Sequence, residues 1–238
     1  MQKFGARVSH QPFLATLPRG NQSVTMTNIL ASFGLNKRER VLLCAHWDTR
    51  PWADRDPDSG NHDQPIAGAN DGASGAAVLL EVARNIQLQE PRYGVDIVFF
   101  DGEDCGISGF PSTFALGAQH FAKNKDVNYR PKWGILLDMV GDKDLQIYQE
   151  EHSLQYAPET VKEVWERAQR LGLAAFIPNP GYQVTDDHLP LLQAGIPCID
   201  IIDFNYDYWH TLADTPDKCS PESLAEVGRL ILSLIYDK

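Results

Sequence analysis

The chain has 238 residues, of which 43% are hydrophobic and 22% charged, and its formal net charge is −11. That length and ordinary composition fit a single domain over residues 1–238, large enough to bury a full core without disulfides. The charge leaves no basic stripe to replace phosphate counterions, which argues against nucleic acid as a partner and equally against an anionic membrane surface.

In chain order, residues Met1–Ser9 show no signal-peptide hydrophobic core, so the sequence reads as cytoplasmic or as already trimmed of an export signal. No apolar stretch reaches the roughly 18 residues of a membrane span. Met1–Met26 contain no clear long helix, and the first layer is expected to be incomplete there. Five apolar runs follow: Thr27–Phe33, Val41–Ala45, Asp96–Phe100, Gly134–Leu137 and Cys198–Ile202. Each is continuous rather than alternating, which predicts strands covered on both faces. Helical periodicity marks Ala73–Leu88, Ser112–Lys123 with a serine cap, Pro158–Leu171, and Pro221–Tyr236 with Ser220 ahead of it. Trp47–Ala67 and Ile177–Thr185 read as loops. This alternation predicts an α/β three-layer sandwich with a central mixed, mostly parallel β-sheet flanked by helices. The four cysteines show no C-x-x-C spacing, and Cys44 and Cys198 read as small buried thiols.

The informative pattern is where polar residues end the apolar runs. Val41–Ala45 is followed by His46-Trp-Asp48, Asp96–Phe100 by Asp101-Gly-Glu103-Asp104, and Gly134–Leu137 by Asp138; His210 comes a short loop after Ile202. Parallel α/β sheets bind ligands beyond the carboxyl ends of their strands, so these groups are expected along one edge. The small-residue segment Gly68–Gly75 adds Asp71 at the start of a helix. A lone histidine at a strand end is usually a satisfied polar residue, and a lone aspartate before a helix is usually a cap. Together, imidazole nitrogen with carboxylate oxygen and no cysteine is the ligand set of a catalytic zinc with an open coordination position. His10, His62, His120 and His152 lack that context and read as surface residues.

These motifs resemble the di-zinc exopeptidase superfamily and, within it, the bacterial glutaminyl cyclases. The likeness runs from Thr27 to Ile235 and includes Val41–Asp48, Gly68–Gly75, Phe99–Asp104, Leu136–Gly141, Asp186–Pro190 and Trp209–Asp214, with the loop Arg50-Pro-Trp52-Ala-Asp54. The resemblance implies zinc as cofactor, held by Asp71, Asp104 and His210. It also implies Glu103 as proton shuttle, in an acid network with Asp186 and Asp138, and a glutamine pocket walled by Trp209, Met139 and Ile202. The aminopeptidases of the superfamily place a second zinc on the matches of His46 and Asp138, and the match of Asp48 orients the histidine. All those positions are filled here. The implied reaction is therefore cyclisation of N-terminal glutamine with one zinc, and hydrolysis of N-terminal residues with two is the alternative. A non-catalytic binding domain on the same fold would be expected to have lost ligands. Peptide or protein N-termini are the implied partners, and a periplasmic or secreted location is implied in the same way. The family further suggests a cis peptide after Asp71. The chain departs from animal cyclases in three places: a glycine-containing loop after Asp104 where they place a tryptophan, Asp200 where they have histidine, and Ala45, which leaves no counterpart to their disulfide.

Overall fold

A computed structural model describes residues 1–236. Strands β1 (Arg7–Thr16), β2 (Ser23–Phe33), β3 (Arg40–His46), β4 (Gly94–Phe100), β5 (Gly134–Asp138) and β8 (Cys198–Ile202) form one sheet in the order β1-β2-β4-β3-β5-β8. The pair β6 (Ile147–Gln149) and β7 (Phe176–Pro180) stands apart. β4, β3, β5 and β8 run parallel, while β1 and β2 are antiparallel additions on one side. The helices are α1 (Ala73–Leu88), α2 (Leu116–Asn124), α3 (Glu151–Tyr156), α4 (Pro158–Leu171), α5 (His188–Gln193) and α6 (Pro221–Tyr236).

The four parallel strands are buried along nearly their whole length, because each faces apolar residues on both sides. Val41, Leu43 and Ala45 of β3 pack with α1, α4 and α6, whereas Leu42 and Cys44 pack with α2 and α5. The sheet thus separates two apolar cores, which is the expected three-layer sandwich with a mixed, mostly parallel sheet. Helix α1 lies so close to β5 that a Cβ on Gly75 would fall 2.1 Å from the Leu137 carbonyl oxygen.

Several expectations are corrected. The first 26 residues, read as thin, hold β1 and the start of β2; β1 is paired from Arg7↔Ser32 to Thr16↔Ser23. As a half-exposed edge strand it carries mixed polar and apolar residues, and no continuous run marks it. β2 is longer than Thr27–Phe33 and has an alternating burial pattern rather than cover on both faces. The helix expected over Ser112–Lys123 begins only at Leu116. The backbone N–H groups of Ala115 and Leu116 donate to the carbonyls of Glu103 and Gly102, and Ala115 takes φ +55, which delays the helix and leaves a separate turn at Pro111–Thr113. The expected loop Ile177–Thr185 is a strand through Pro180. Helices α3 and α5, each of 6 residues, are too short for periodicity to show. His152 is not simply a surface residue: its ring stacks on Tyr156 and lies 6.3 Å from that of His188. The suggested cis bond after Asp71 is absent, and all peptide bonds among the described residues are trans. The sharp turn is made instead by Gly72 at φ +91, where a Cβ would fall 2.7 Å from the Asp48 carbonyl oxygen and 2.8 Å from His46 Cε1.

Gly75→Ala is expected to destabilise the protein by about 3 kcal/mol or more, because the close partner is backbone and cannot rotate away. Urea denaturation measures this; an unchanged midpoint would mean that α1 and β5 have room to separate.

Candidate active site

Because β3, β4, β5 and β8 are parallel, their carboxyl ends lie on one edge, and the chemistry-bearing residues gather there. His46 is the last residue of β3 and Asp138 the last of β5, while Glu103 and Asp104 follow β4. Asp71 reaches the same place from the turn before α1. Asp214 fixes that turn, its carboxylate accepting the N–H of Asn70 at 2.9 Å and of Asp71 at 3.1 Å and the Tyr206 hydroxyl at 2.8 Å.

Two triads result, and they share Asp71. In one, His210 Nε2 lies 3.2 Å from Asp104 Oδ1 and 3.6 Å from Asp71 Oδ2. In the other, His46 Nε2 lies 3.1 Å from Asp138 Oδ1 and 3.2 Å from Asp71 Oδ1. All five side chains are buried. Within the first triad Asp71 Oδ2 and Asp104 Oδ2 are buried without any hydrogen-bond partner. Orphaned carboxylate oxygens facing an imidazole nitrogen are costly unless something fills the space. A divalent cation fits that requirement, and an N,O,O donor set free of cysteine suits catalytic zinc.

A buried cation braces this triad. The Arg50 guanidinium, 1% exposed, donates from Nε and Nη2 to the Asp54 carboxylate at 2.7 and 2.8 Å. Its Nη1 donates to the carbonyl and carboxylate oxygens of Asp104, both at 2.9 Å. Asp54 Oδ1 then lies 3.4 Å from His210 Nδ1, so one arginine–aspartate pair orients two groups of the first triad. Burial opposes charge on Asp54, but Arg50 and then His210 hold its carboxyl far below the usual range. The role expected of Asp48 is different in detail. Its backbone carbonyl, not its carboxylate, is the nearer partner of His46 Nδ1, at 3.1 Å. The carboxylate accepts the N–H groups of Glu103 and Asp104, both at 3.1 Å, and so fixes the turn that carries them.

Above the triads is a small cavity of about 50 Å³ lined by Glu103, Asp138, Asp186, Met139, Ile202, Trp209, Phe114, Val184 and Phe204, with Asp71, Asp104 and His210 at its floor. Every residue expected at the pocket and in the acid network is therefore brought together. Larger grooves of about 670 and 600 Å³ lie along α4 and beside Arg40, away from this chemistry. Trp209 lies against His210, the rings tilted by 32° with centroids 3.9 Å apart, and is half-buried rather than a core residue. Met139 and His210 both take left-handed backbone conformations, at φ +45 and +56. Side-chain-bearing residues adopt that region rarely, and often at functional sites. Burial, followed by the charges of Asp186 and Asp104, pushes the Glu103 carboxyl well above its usual range. Burial and the charge of Asp138 push Asp186 up to about 8. Arg50, Asp54 and Asp214 carry roles that sequence reasoning did not assign. The only available signal for the first two was an arginine and an aspartate four residues apart in a loop dense with proline.

A parallel sheet edge that presents such a triad beside a buried glutamate defines a metal-dependent enzyme of the exopeptidase type. The sequence profile of Peptidase family M28 matches residues 28–235. The chain superimposes on the glutaminyl cyclase of Tannerella forsythia with TM-score 0.94 and 43% identity, covering 100% of this chain and 86% of that one. The glutaminyl cyclase of Bacteroides thetaiotaomicron gives TM-score 0.95 and 39% identity, with coverage of 100% and 86%. The glutaminyl-peptide cyclotransferase of Bos taurus is 24% identical over 94% of this chain, which spans 69% of that longer protein. The chain belongs to peptidase family M28, in its bacterial glutaminyl cyclase branch.

Arg50→Met removes the cation between Asp54 and Asp104 and is expected to cost about 3 kcal/mol in metal-free protein, since a buried charge loses its partner. With zinc added the deficit should shrink, because a cation again faces Asp104. Urea denaturation with and without a chelator measures both; equal deficits in the two states would contradict the account.

Proposed function

We propose that this protein cyclises the N-terminal glutamine of peptides to pyroglutamate and releases ammonia, using one zinc ion held by Asp71, Asp104 and His210. What carries the reading is the joining, on one small cavity, of a ready cation triad, a high-pKa glutamate and a tryptophan wall, in a chain about 40% identical to bacterial glutaminyl cyclases. Zinc, when bound, supplies a Lewis acid for the γ-carbonyl oxygen of the glutamine side chain.

The chain's own residues supply the rest. Trp209, Met139 and Ile202 hold the apolar stem of the glutamine and exclude water that would hydrolyse rather than cyclise it. Glu103 accepts a proton from the α-amine as that nitrogen bonds to the γ-amide carbon, then returns it to the amide nitrogen as the C–N bond breaks and ammonia leaves. Asp186, protonated at neutral pH, presents its carbonyl oxygen as the acceptor that holds Glu103 aimed at the substrate while Glu103 carries the transferred proton. His46 balances the charge of Asp71 and Asp138, with Asp48 behind it. Family likeness supports a periplasmic or secreted site of action on peptide or protein N-termini; among the described residues no helix is long and apolar enough to cross a membrane.

Peptides beginning with glutamine are expected to release ammonia with no residue lost from the chain. Faster release of free N-terminal amino acids, with two zinc ions per chain on the His46–Asp71–Asp138 and Asp71–Asp104–His210 triads, would establish the aminopeptidase instead. Glu103→Gln is expected to retain zinc and lose on the order of 10²–10⁴-fold in kcat. Metal analysis alongside ammonia release checks it, and retained turnover would remove Glu103 as the proton carrier.

A further inference from the structure

We propose that Asp200, held from behind by His188 and Glu150, is a positioning residue that fixes the Asp186 carboxyl in the reactive cavity. Asp200 lies in the middle of β8 and is fully buried, with Ile199 and Ile201 on either side packed in the apolar core. An acid at such a place is costly without partners. Both its carboxyl oxygens, together with Asp186 Oδ2, lack any hydrogen-bond partner that meets strict geometry. Yet ligand atoms of Asp186, His188 and Asp200 all lie within 4.8 Å of one another.

His188 sits between Asp200 and a fixed anion. Its Nε2 is 3.2 Å from Glu150 Oε2, and its Nδ1 is 3.6 Å from Asp200 Oδ2. Glu150 is anchored as a carboxylate by the N–H groups of His152 at 2.9 Å, Ser153 at 2.6 Å and Val184 at 3.2 Å, and by the Ser153 hydroxyl at 2.8 Å. The Ser153 oxygen in turn accepts the backbone N–H of Asp200 at 3.0 Å. Val184 lines the reactive cavity two residues before Asp186, so one carboxylate ties down both the loop carrying Asp186 and the histidine behind Asp200. Burial, then the charge of Asp186, moves Asp200 well above the usual carboxyl range, and burial moves His188 down. Burial opposes charge on Glu150, but His188 and the backbone donors bring it to about 2. These directions agree on one arrangement: Asp200 donates its O–H to His188 Nδ1, and His188 Nε2–H faces Glu150. The remaining Asp200 oxygen is then left as an acceptor for the Asp186 hydroxyl.

The inference rests on the catalytic assignment of Asp186 made above, and a double-mutant cycle separates the two. Asp200→Leu should lower kcat for ammonia release roughly 10–100-fold, as small misplacements of reacting groups do, with KM within about twofold and zinc per chain unchanged. Asp200→Asn, which keeps one donor and one acceptor, should restore most of kcat. The double variant Asp186→Asn/Asp200→Leu should be no slower than Asp186→Asn alone. Thermal melting reports whether Asp200→Leu folds; if it does not, Asp200→Val is read in the same way. Unchanged kcat in the leucine or valine variant, additive losses in the double variant, no rescue by asparagine, or loss of a metal ion would each overturn the proposal while a slow Asp186→Asn left the catalytic reading standing. Undiminished turnover in Asp186→Asn would overturn that reading itself.

Discussion

The constraint on which this structure depends is negative charge gathered in a place without water. Asp71, Glu103, Asp104, Asp138, Asp186, Asp187 and Asp200 are all buried near one edge of a parallel sheet. Carboxylates crowded together out of solvent raise one another's pKa or demand cations, and each compensation is visible here. Arg50 answers Asp104, the imidazoles of His46 and His210 answer Asp71, and backbone N–H groups answer the carboxylates of Asp48 and Asp214. Oxygens left over on Asp71 and Asp104 mark where a metal ion fits.

The fold serves that gathering by keeping its supports rigid. The strands that deliver the site are continuous with two apolar cores, and α1, which begins two residues after Asp71, is pressed onto β5 at a glycine. The Ser74 hydroxyl donates to the Asn70 carbonyl at 2.6 Å and accepts the Val140 N–H at 3.0 Å; Asn70 Oδ1 accepts the Gly141 N–H at 2.7 Å. The turn bearing Asp71 and the segment bearing Met139 are thereby joined. A site of precisely placed donors can only be as fixed as such supporting contacts make it.

Much of this was legible in the residue order, and the rest was hidden for identifiable reasons. Continuous apolar runs revealed the four parallel strands, because burial on both faces leaves no alternation, and the polar residues ending three of those runs marked the site. Strand β1 was hidden because an edge strand has one wet face and mixed composition. The six-residue helices α3 and α5 were hidden because a turn and a half carries no period. Asp71, Asp104 and His210 could be grouped from motifs, whereas Arg50 and Asp54 could not. Their role depends on a long irregular loop folding back so that Arg55 N–H reaches the His210 carbonyl and Ile66 N–H the Arg50 carbonyl. Local sequence contains no signal for such a return. The turn at Gly72 shows the limit of likeness: a cis bond was expected after Asp71, and the chain turns instead through a glycine at positive φ.

The segment from Cys105 to Phe114 is clasped at its two ends. Asp104 N–H is held by Asp48 on one side, and Ala115 N–H by the Glu103 carbonyl on the other. Between those pins the chain emerges into solvent, where Phe110 is 63% exposed and Gly109 has open space around it. Gly109 and Phe110 can therefore change without touching the glutamate beneath, much as a bezel can be recut while the stone stays set. The tip of this loop can thus be altered independently of the groups that its two ends hold in place.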